Sequence, residues 1–555
     1  MTYTAFTIGP IYKTLKSVKS TKAIWAASYL FSYLIKEIIK KIKKLNDGSA
    51  IIFPYCDKIK DGIVPLDDNF KIGAGLFPDR IILKGKIDLK IIIIKVLNDF
   101  SKELSKSIEK NSDLDKITKY IKNYINCYHL QTELDDKDNI ILEIHKMLDS
   151  LELQQRVLED ANGNYLNDFL EKKKPYNFLI NLEFASRPFP STIEISSAEF
   201  SSHFRHSEKY EEARKILTDD SEKSQVKFVK ELKRIVGDDY RNYQKYIAVV
   251  QADGDNMSDF IKLLYGQDDR DKLINIFSKN LLSFAIEAVN LIKDRFGTPI
   301  YAGGDDLLYF MPVARMNVEI NSRISSTIFT LIKEIDIKFK ELILDEPELK
   351  KVISQQDSTF KKPSMSYGVS ISYHKFPLNQ ALEKGSNQLF QKAKSGEKDA
   401  VSYTILKHSG QFFGTTFHKS KKSYSTFMKL IEENLDKSKF ISSIIHKLEV
   451  QSAVLKGIGT VPDVAKRELM FHNFLFNNFN ERIHRSPNDK NKLSDFLENV
   501  KQFFKDVYNE NPIKGTPGVI EVNNNINIEK VYSALRFIEF IHNKEDRDDK
   551  EDSDE

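Results

Sequence analysis

The hydrophobic rhythm of the chain changes several times. A strand-like run, "YTAFTIGPI", opens it, and an apolar helix, "KAIWAASYLFSYLIKEIIKKI", follows. "DGSAIIFPYC" reads as a glycine-punctuated strand, and "PLDDNFKIGAGLFPDRIIL" as a glycine-rich loop entering another. From about Lys86 to Leu170 apolar residues return every three or four positions, the period of helices. "RPFPSTIEIS", Arg187 to Ser196, predicts a proline-rich connection with a short strand, and charged helices continue to about Gly237.

A second alternating region runs from "YIAVVQADGD" to "AVSYTILKH". Tyr246 to Gln251 is β-rich, and "NMSDFIKLLYG" puts Met257, Phe260, Ile261 and Leu264 on one helical face. A helix over about Asp271 to Phe296 stops at Gly297. "TPIYA" and "LLYFMPV" are strands joined by "GGDD". Asn317 to Leu344 predicts one long helix, "SMSYGVSISY" a strand and "PLNQALEKGSNQLFQKAKS" a helix. That order, β-α-β-β-α-β, is the ferredoxin-like arrangement. "FGTPIYAGGDD" resembles "DGSAIIFPYCD" in placement, so the first half is expected to be a related fold without the acidic site. After Gly410 the pattern is helical, and the chain ends in an acidic tail, "NKEDRDDKEDSDE", read as disordered.

Composition narrows the class. With 555 residues, 41% hydrophobic and 30% charged, the chain has material for several packed domains. A net charge of +4 is too small to argue nucleic-acid binding from the total. Cys56 and Cys127 are far apart, which excludes a CxxC zinc ribbon and a disulfide framework. No secretory leader or membrane-length apolar run is present, so the expected location is cytoplasmic.

The candidate chemistry lies in "QADGDNM" and "YAGGDDLLYF". In the predicted fold the first strand and the central hairpin are neighbours, so Asp253, Asp305 and Asp306 converge. Clustered carboxylates suit Mg²⁺ or Mn²⁺, and a pair of such ions activates a hydroxyl and stabilises leaving pyrophosphate. Gly303 and Gly304 let a triphosphate approach the turn. Lys394 and Lys398, in "LFQKAKSGEKDAV", are compact cations suited to phosphates. Each element also has a bland reading: Gly-Gly-Asp is ordinary hairpin chemistry, and lysines often end helices.

Together "QADGDNM", "YAGGDDLLYF", "YGVSISYHKFPLNQAL" and "KAKSGEKDA" resemble the palm, or cyclase, domain of the large subunit of type III CRISPR effector complexes. "TIGPIYKTL", "TKAIWAASYLFSYLIKEI", "GLFPDRI" and "PSTIEIS" resemble the Cmr-type, type III-B form of this Cas-ten family. The resemblance implies an α+β chain with two ferredoxin-like, GGDEF/cyclase-like palm domains. The expected divisions are a first palm over 1–150, a zinc-free helical linker over 151–240, a catalytic palm over 241–410, a helical domain over 411–543 and a tail over 544–555. It implies partnership with the other subunits of the complex, guide crRNA and target RNA, with no membrane. ATP would be polymerised into cyclic oligoadenylates. Asp253 and Asp305 would bind two metal ions with Asp306 assisting. Gly303, Gly304, Gly254 and Asn256 would lie along the nucleotide, and Lys394 and Lys398 would face its phosphates. Trp25 and Ser28 would flank the acceptor.

The chain departs from the family pattern in places. It starts at the first palm and contains no His-Asp dipeptide, so no DNase activity is expected, and two scattered cysteines cannot make the family's four-cysteine zinc site. Ser258 stands where glycine is expected. Some shorter members join AMP to S-adenosylmethionine instead. A sulfonium acceptor wants carboxylates, for which Asp67, Asp68 and Glu152 are candidates. A diguanylate-cyclase-like enzyme acting alone and a non-catalytic scaffold are the alternatives. The basic, aromatic stretch Lys407 to Ser425 suits RNA, or a solvated loop.

Overall fold

A computed structural model describes residues 1–45, 50–59, 62–108, 113–135, 139–154, 164–171, 178–184, 189–200, 207–217, 222–237, 240–317, 323–432, 438–478, 490–510 and 517–543. The predicted tail, 544–555, lies outside them.

The first half is built on an antiparallel sheet of β1 (Thr2–Gly9), β2 (Ala50–Phe53), β3 (Arg80–Lys84) and β4 (Asn126–Glu133), in the order β2-β3-β1-β4. The helix Thr21–Leu45 is buried on every side over Ala23–Phe31, then narrows to a stripe of Ile35, Ile38, Ile39 and Ile42. The reading of Lys86–Leu170 as helical holds for Leu89–Ile108 and Leu114–Tyr124 but misses β4, whose "NCYHLQTE" alternates with period two as it pairs with β1. "PSTIEIS" is not a strand but the helix Thr192–Ser196. Ser191 and Glu194 form a capping box at its start, which outweighs the β-branched residues after it.

The second sheet contains β5 (Tyr246–Asp255), β6 (Thr298–Gly303) and β7 (Asp306–Pro312). A small hairpin, β8 (Ala314–Asn317) with β9 (Arg323–Thr327), stands apart from it. β10 (Ser364–Tyr373), β11 (Ala400–Leu406) and β12 (Phe412–His418) complete the sheet, in the order β12-β11-β10-β5-β7-β6. Its β10-β5-β7-β6 part repeats the first sheet's order with the first sheet reversed, so both halves are ferredoxin-like and the fold is α+β. The long helix expected over Asn317–Leu344 starts only at Ile328, where Thr327 and Thr330 cap it; the residues before it pair as β9. The helical reading after Gly410 likewise misses β12, which extends the sheet edge through β11. Helices Lys422–Glu432 to Pro517–His542 follow, and the last is tied to the sheet by the Tyr403 hydroxyl donating to the Ser533 carbonyl at 2.8 Å.

β5 separates two cores. Ala248, Val250 and Ala252 pack with the helices Arg270–Asp294 and Ile328–Phe339, while Ile247 and Val249 join the core of the first half. The halves also meet through backbone: the Ala302 N–H donates to the Gly75 carbonyl at 2.9 Å, one residue before the Gly303–Gly304 turn. No helix among the described residues is long and apolar enough to cross a membrane.

Candidate active site

Register brings the acids together. Ala252 pairs with Leu307 across β5 and β7, so the next position on each strand sets Asp253 beside Asp306. Directly opposed antiparallel residues have Cβ atoms about 5 Å apart, and like charges there repel. Asp305 reaches the same place from the turn. A Cβ built on Gly254 would lie 2.2 Å from Asp305 Oδ2, so only glycine leaves room for that carboxylate. Gly304 holds the turn at φ +71°, in the left-handed region, and the Tyr301 hydroxyl fills the space over Gly303.

Lysine and backbone contacts tie these acids to their neighbours. Lys394 Nζ lies 2.5 Å from Asp253 Oδ2 and donates to the Gly254 carbonyl at 2.8 Å. Asp255, the second acid of "DGD", was absent from the sequence candidates; its role is internal. Its Oδ2 accepts from Ser364 Oγ at 2.9 Å, Ser366 Oγ at 2.7 Å and the Asp399 N–H at 2.9 Å, which fixes the end of β5 to β10 and to the loop before β11. Asn256 adopts φ +59° at the start of the helix Met257–Tyr265 and donates to the Lys362 carbonyl. Lys398 Nζ donates to Asn256 Oδ1 at 3.4 Å. Both lysines therefore reach the "DGDN" loop, and Lys394 occupies a carboxylate.

The site is short of positive charge. Burial, then the neighbouring Asp253, pushes the Asp305 carboxyl up to about 6. Asp306 is raised well above the carboxylate range by burial, then by Asp305, Asp253 and Asp79. By surface area its side chain is nonetheless exposed, opening onto a cleft. Three carboxylates against one ammonium fit the oxygen-rich, anionic donor set that Mg²⁺ or Mn²⁺ takes. With Lys394 on Asp253, no group of three or more His, Cys, Asp or Glu among the described residues is already arranged around one metal position.

The cleft, about 340 Å³, lies between the halves. Gly303, Gly304, Asp305 and Asp306 form one wall; Phe53, Tyr55, Asp79, Arg80 and His145 come from the first half. The 26-residue connection between β2 and β3, from Pro54 to Asp79, supplies much of that wall, where β6 and β7 have only Gly304 and Asp305 between them. Burial pushes the Asp79 carboxyl up to about 6, and burial with nearby Arg80 pushes the His145 imidazole down to about 4.

The structure does not bring the predicted acceptor residues into this cleft. Trp25 is fully buried, stacked on Tyr29 and donating Nε1–H to the Gly73 carbonyl at 3.0 Å, and Ser28 is buried in the same helix. Asp68 pairs with Lys40 on the surface, and the Asp67 side chain caps the Asn69 N–H. Glu152 accepts from Thr7 Oγ1 at 2.6 Å and from Arg80 at 3.0 Å, so it stands behind Arg80. The first-half carboxylate that does line the cleft is Asp79, in the "FPDR" that enters β3; an acid at a strand start was the available signal. Nor is Lys407–Ser425 a free basic loop. Its middle, Phe412–His418, is β12, Lys422 onward begins a helix, Lys419 is buried against Asp336 and Asp399, and Lys421 pairs with Glu397.

Known proteins share these parts. Residues 246–402 match the model of the Cas10/Cmr2 second palm domain, and residues 3–113 match that of the CRISPR-associated protein Cmr2 N-terminal region. The CRISPR system Cmr subunit Cmr2 of Pyrococcus furiosus is 25% identical over 222 residues, a match covering 36% of this chain and 22% of that protein. A chain of the type III-B Cmr-beta structure in its apo state superposes with a TM-score of 0.53 at 12% identity, covering 86% of this chain and 77% of that one. For Cmr-beta bound to cognate target RNA the TM-score is again 0.53 at 12% identity, with 88% and 80% covered. At that identity the likeness is one of fold.

Proposed function

This chain is a large subunit of the Cmr2/Cas10 type, and from that premise we propose that it is the nucleotidyltransferase subunit of a type III-B CRISPR complex, switched on when target RNA pairs with guide crRNA. The observation that carries the reading is the meeting of Asp253, Asp305 and Asp306 at a cleft whose opposite wall belongs to the other ferredoxin-like half. A donor nucleotide and an acceptor then each have a surface.

ATP is the proposed donor. An acceptor hydroxyl oxygen bonds to the α-phosphorus, the bond from that phosphorus to the bridging oxygen breaks, and pyrophosphate leaves with its electron pair. The hydroxyl proton passes to water. Two Mg²⁺ or Mn²⁺ ions, when bound, supply the positive charge that acidifies the hydroxyl and steadies the pyrophosphate. Asp253, Asp305 and Asp306 would hold them. Lys394, released from Asp253, and Lys398 would take phosphate oxygens, while Gly254, Gly303 and Gly304 let the triphosphate lie against backbone.

The product is a second messenger, either a cyclic oligoadenylate or an AMP conjugate of S-adenosylmethionine. One observation favours the conjugate: the first-half wall carries the Asp79 carboxyl, while the adjacent Arg80 cation is neutralised by Asp149 at 2.5 Å and Glu152 at 3.0 Å. That wall suits a cationic acceptor better than a second triphosphate. The experiment is mass spectrometry of products from the complex assembled with guide and target RNA, given ATP and Mn²⁺ or Mg²⁺, with and without S-adenosylmethionine. Asp305→Ala with Asp306→Ala is expected to abolish product and leave RNA assembly intact. Product from that variant, or GTP turnover by the isolated chain without RNA, overturns the reading.

A further inference from the structure

The loop before β11 carries two residues in a conformation that side chains resist. Lys398 has φ +62° and Asp399 φ +47°, both in the left-handed region, where a Cβ crowds the following carbonyl. Aspartate tolerates that region, and lysine does so less readily. Two such residues in succession persist only where the surroundings hold them.

β12 does the holding. Ala400 pairs with His418 across β11 and β12, so the next residue on each strand sets Asp399 opposite Lys419. The Lys419 N–H donates to the Asp399 carbonyl at 2.8 Å, and His418 Nδ1 donates to the Lys398 carbonyl at 3.1 Å. The Lys419 ammonium reaches the same loop. It lies 3.3 Å from Asp399 Oδ1 and 2.6 Å from Oδ2 of Asp336, in the helix Ile328–Phe339. The side chain is 8% exposed and its Nζ sits 4.9 Å from the centre of the buried Tyr367 ring, whose hydroxyl donates to Asp336 Oδ1 at 2.8 Å. Two carboxylates and an aromatic face compensate the buried cation and fix its place.

The other side of the loop meets the candidate site. The Asp399 N–H donates to Asp255 Oδ2 at 2.9 Å, and Lys398 Nζ donates to Asn256 Oδ1 at 3.4 Å. One chain of contacts therefore runs from Asp336 through Lys419 and Asp399 to the strand end that carries Asp253 and Gly254. Lys419 itself does not line the cleft beside the acids. Glycines would take the path of this loop without strain. A lysine there delivers a cation to the "DGDN" loop, at a conformational cost that the grip of β12 offsets.

Resting on the nucleotidyltransferase reading, we propose that Lys419 is a positioning residue for the transfer. By gripping Asp399 at both its carbonyl and its carboxylate, it holds the strained loop, and with it Lys398, in the geometry that receives the triphosphate.

The test is a double-mutant cycle on Lys419→Met and Lys398→Ala. Its readout is the kinetics of pyrophosphate release from ATP, with S-adenosylmethionine present, by the complex assembled with guide and target RNA. Lys419→Met is expected to raise KM for ATP about five-fold with kcat within about two-fold, and Lys398→Ala to raise KM about ten-fold. In the double variant KM is expected to stay within about two-fold of Lys398→Ala, because a loop with no lysine to aim gains nothing from being held. Multiplied effects would show that Lys419 serves the fold alone, and would overturn the proposal. Hydrogen exchange in the free chain needs no turnover. The Asp399 N–H is expected to exchange about ten-fold faster in Lys419→Met, with the helix Leu378–Asn387 unchanged. Unaltered exchange at Asp399 overturns the proposal too. Should Lys419→Met fail to fold, Asp399→Asn takes its place: asparagine accepts the left-handed backbone, keeps the N–H to Asp255 and drops the charge that Lys419 grips. A wild-type complex that releases no pyrophosphate strikes the nucleotidyltransferase reading itself, and this proposal with it.

Discussion

The ammonium of Lys394 lies 2.5 Å from an Asp253 carboxylate oxygen and hydrogen-bonds the neighbouring Gly254 carbonyl. The residue that the chemistry wants on a phosphate is thus parked on an acid that the chemistry wants on a metal. On the proposed reading, a bound metal nucleotide would exchange both partners at once: Asp253 would hold the metal, and Lys394 the phosphate.

Lys394→Met tests that exchange. Both groups are largely buried, and leaving Asp253 unpaired costs about 2 kcal/mol in the free chain. Losing the phosphate contact is expected to lower kcat/KM about 100-fold. Pyrophosphate release by the assembled complex measures the second effect and thermal melting the first. Activity within two-fold of wild type would show that Lys394 serves structure alone.

The crowding of Asp305 and Asp306 predicts a stability change of definite sign. A carboxyl raised to about 6 in the folded chain, from an ordinary value of 3.8, contributes most favourably at low pH and loses that contribution as pH climbs from about 4 to 6. At pH 7 without metal, Asp306→Asn removes one repelling charge and is expected to raise the melting temperature by a few degrees. Added Mn²⁺ is expected to raise the wild-type melting temperature and leave the Asp305→Ala, Asp306→Ala variant unmoved. A variant that melts below wild type in metal-free buffer would contradict the charge argument.

What the sequence could reveal followed from range. The two ferredoxin-like halves were legible because strand alternation and helix period are local, and "DGD" and "GGDD" mark the ends of strands that this fold makes neighbours. β12 and β9 were missed because their pairing partners, rather than their own pattern, make them strands. The first-half side of the cleft was misread for a related reason. Asp67 and Asp68 stand near Asp79 in sequence, yet only Asp79, entering β3, turns toward the "GGDD" hairpin of the other half. Trp25, expected to flank the acceptor, is core.

Glu199 gives a pH prediction away from the acids. It is buried in the short helical turn Ala198–Phe200, accepting from the Tyr243 hydroxyl at 3.0 Å, the Gln244 amide and the Met316 N–H at 2.8 Å. Burial still pushes its carboxyl up to about 7 from 4.5. The contribution is therefore present below about pH 4.5 and declines by about 3 kcal/mol as pH rises through 7. Hydrogen exchange at Tyr243, Gln244 and Met316 is expected to speed up between pH 5 and 7.5 beyond the intrinsic chemical rate. Glu199→Gln is expected to flatten that excess. An excess that persists in the variant would place its source elsewhere.

Two glycines separate catalysis from folding. A Cβ at Gly254 meets Asp305 Oδ2 at 2.2 Å and Met257 Cγ at 2.8 Å, both side-chain atoms that can move. A Cβ at Gly368, in β10, meets the Gly385 carbonyl and the Leu389 nitrogen, each at 2.3 Å, and these are backbone atoms of the packed helical segment over it. Gly254→Ala should therefore fold, displace the Asp305 carboxylate and lose product formation by 100-fold or more. Gly368→Ala should push the helix Leu378–Asn387 off the sheet and lower the melting temperature by several degrees, or fail to accumulate as folded protein. Melting curves and product assays on the two variants read the difference. Equal loss of stability in both would mean that the strand end at Gly254 has no more freedom than the strand centre, and that Asp305 is held by the fold as rigidly as a core residue.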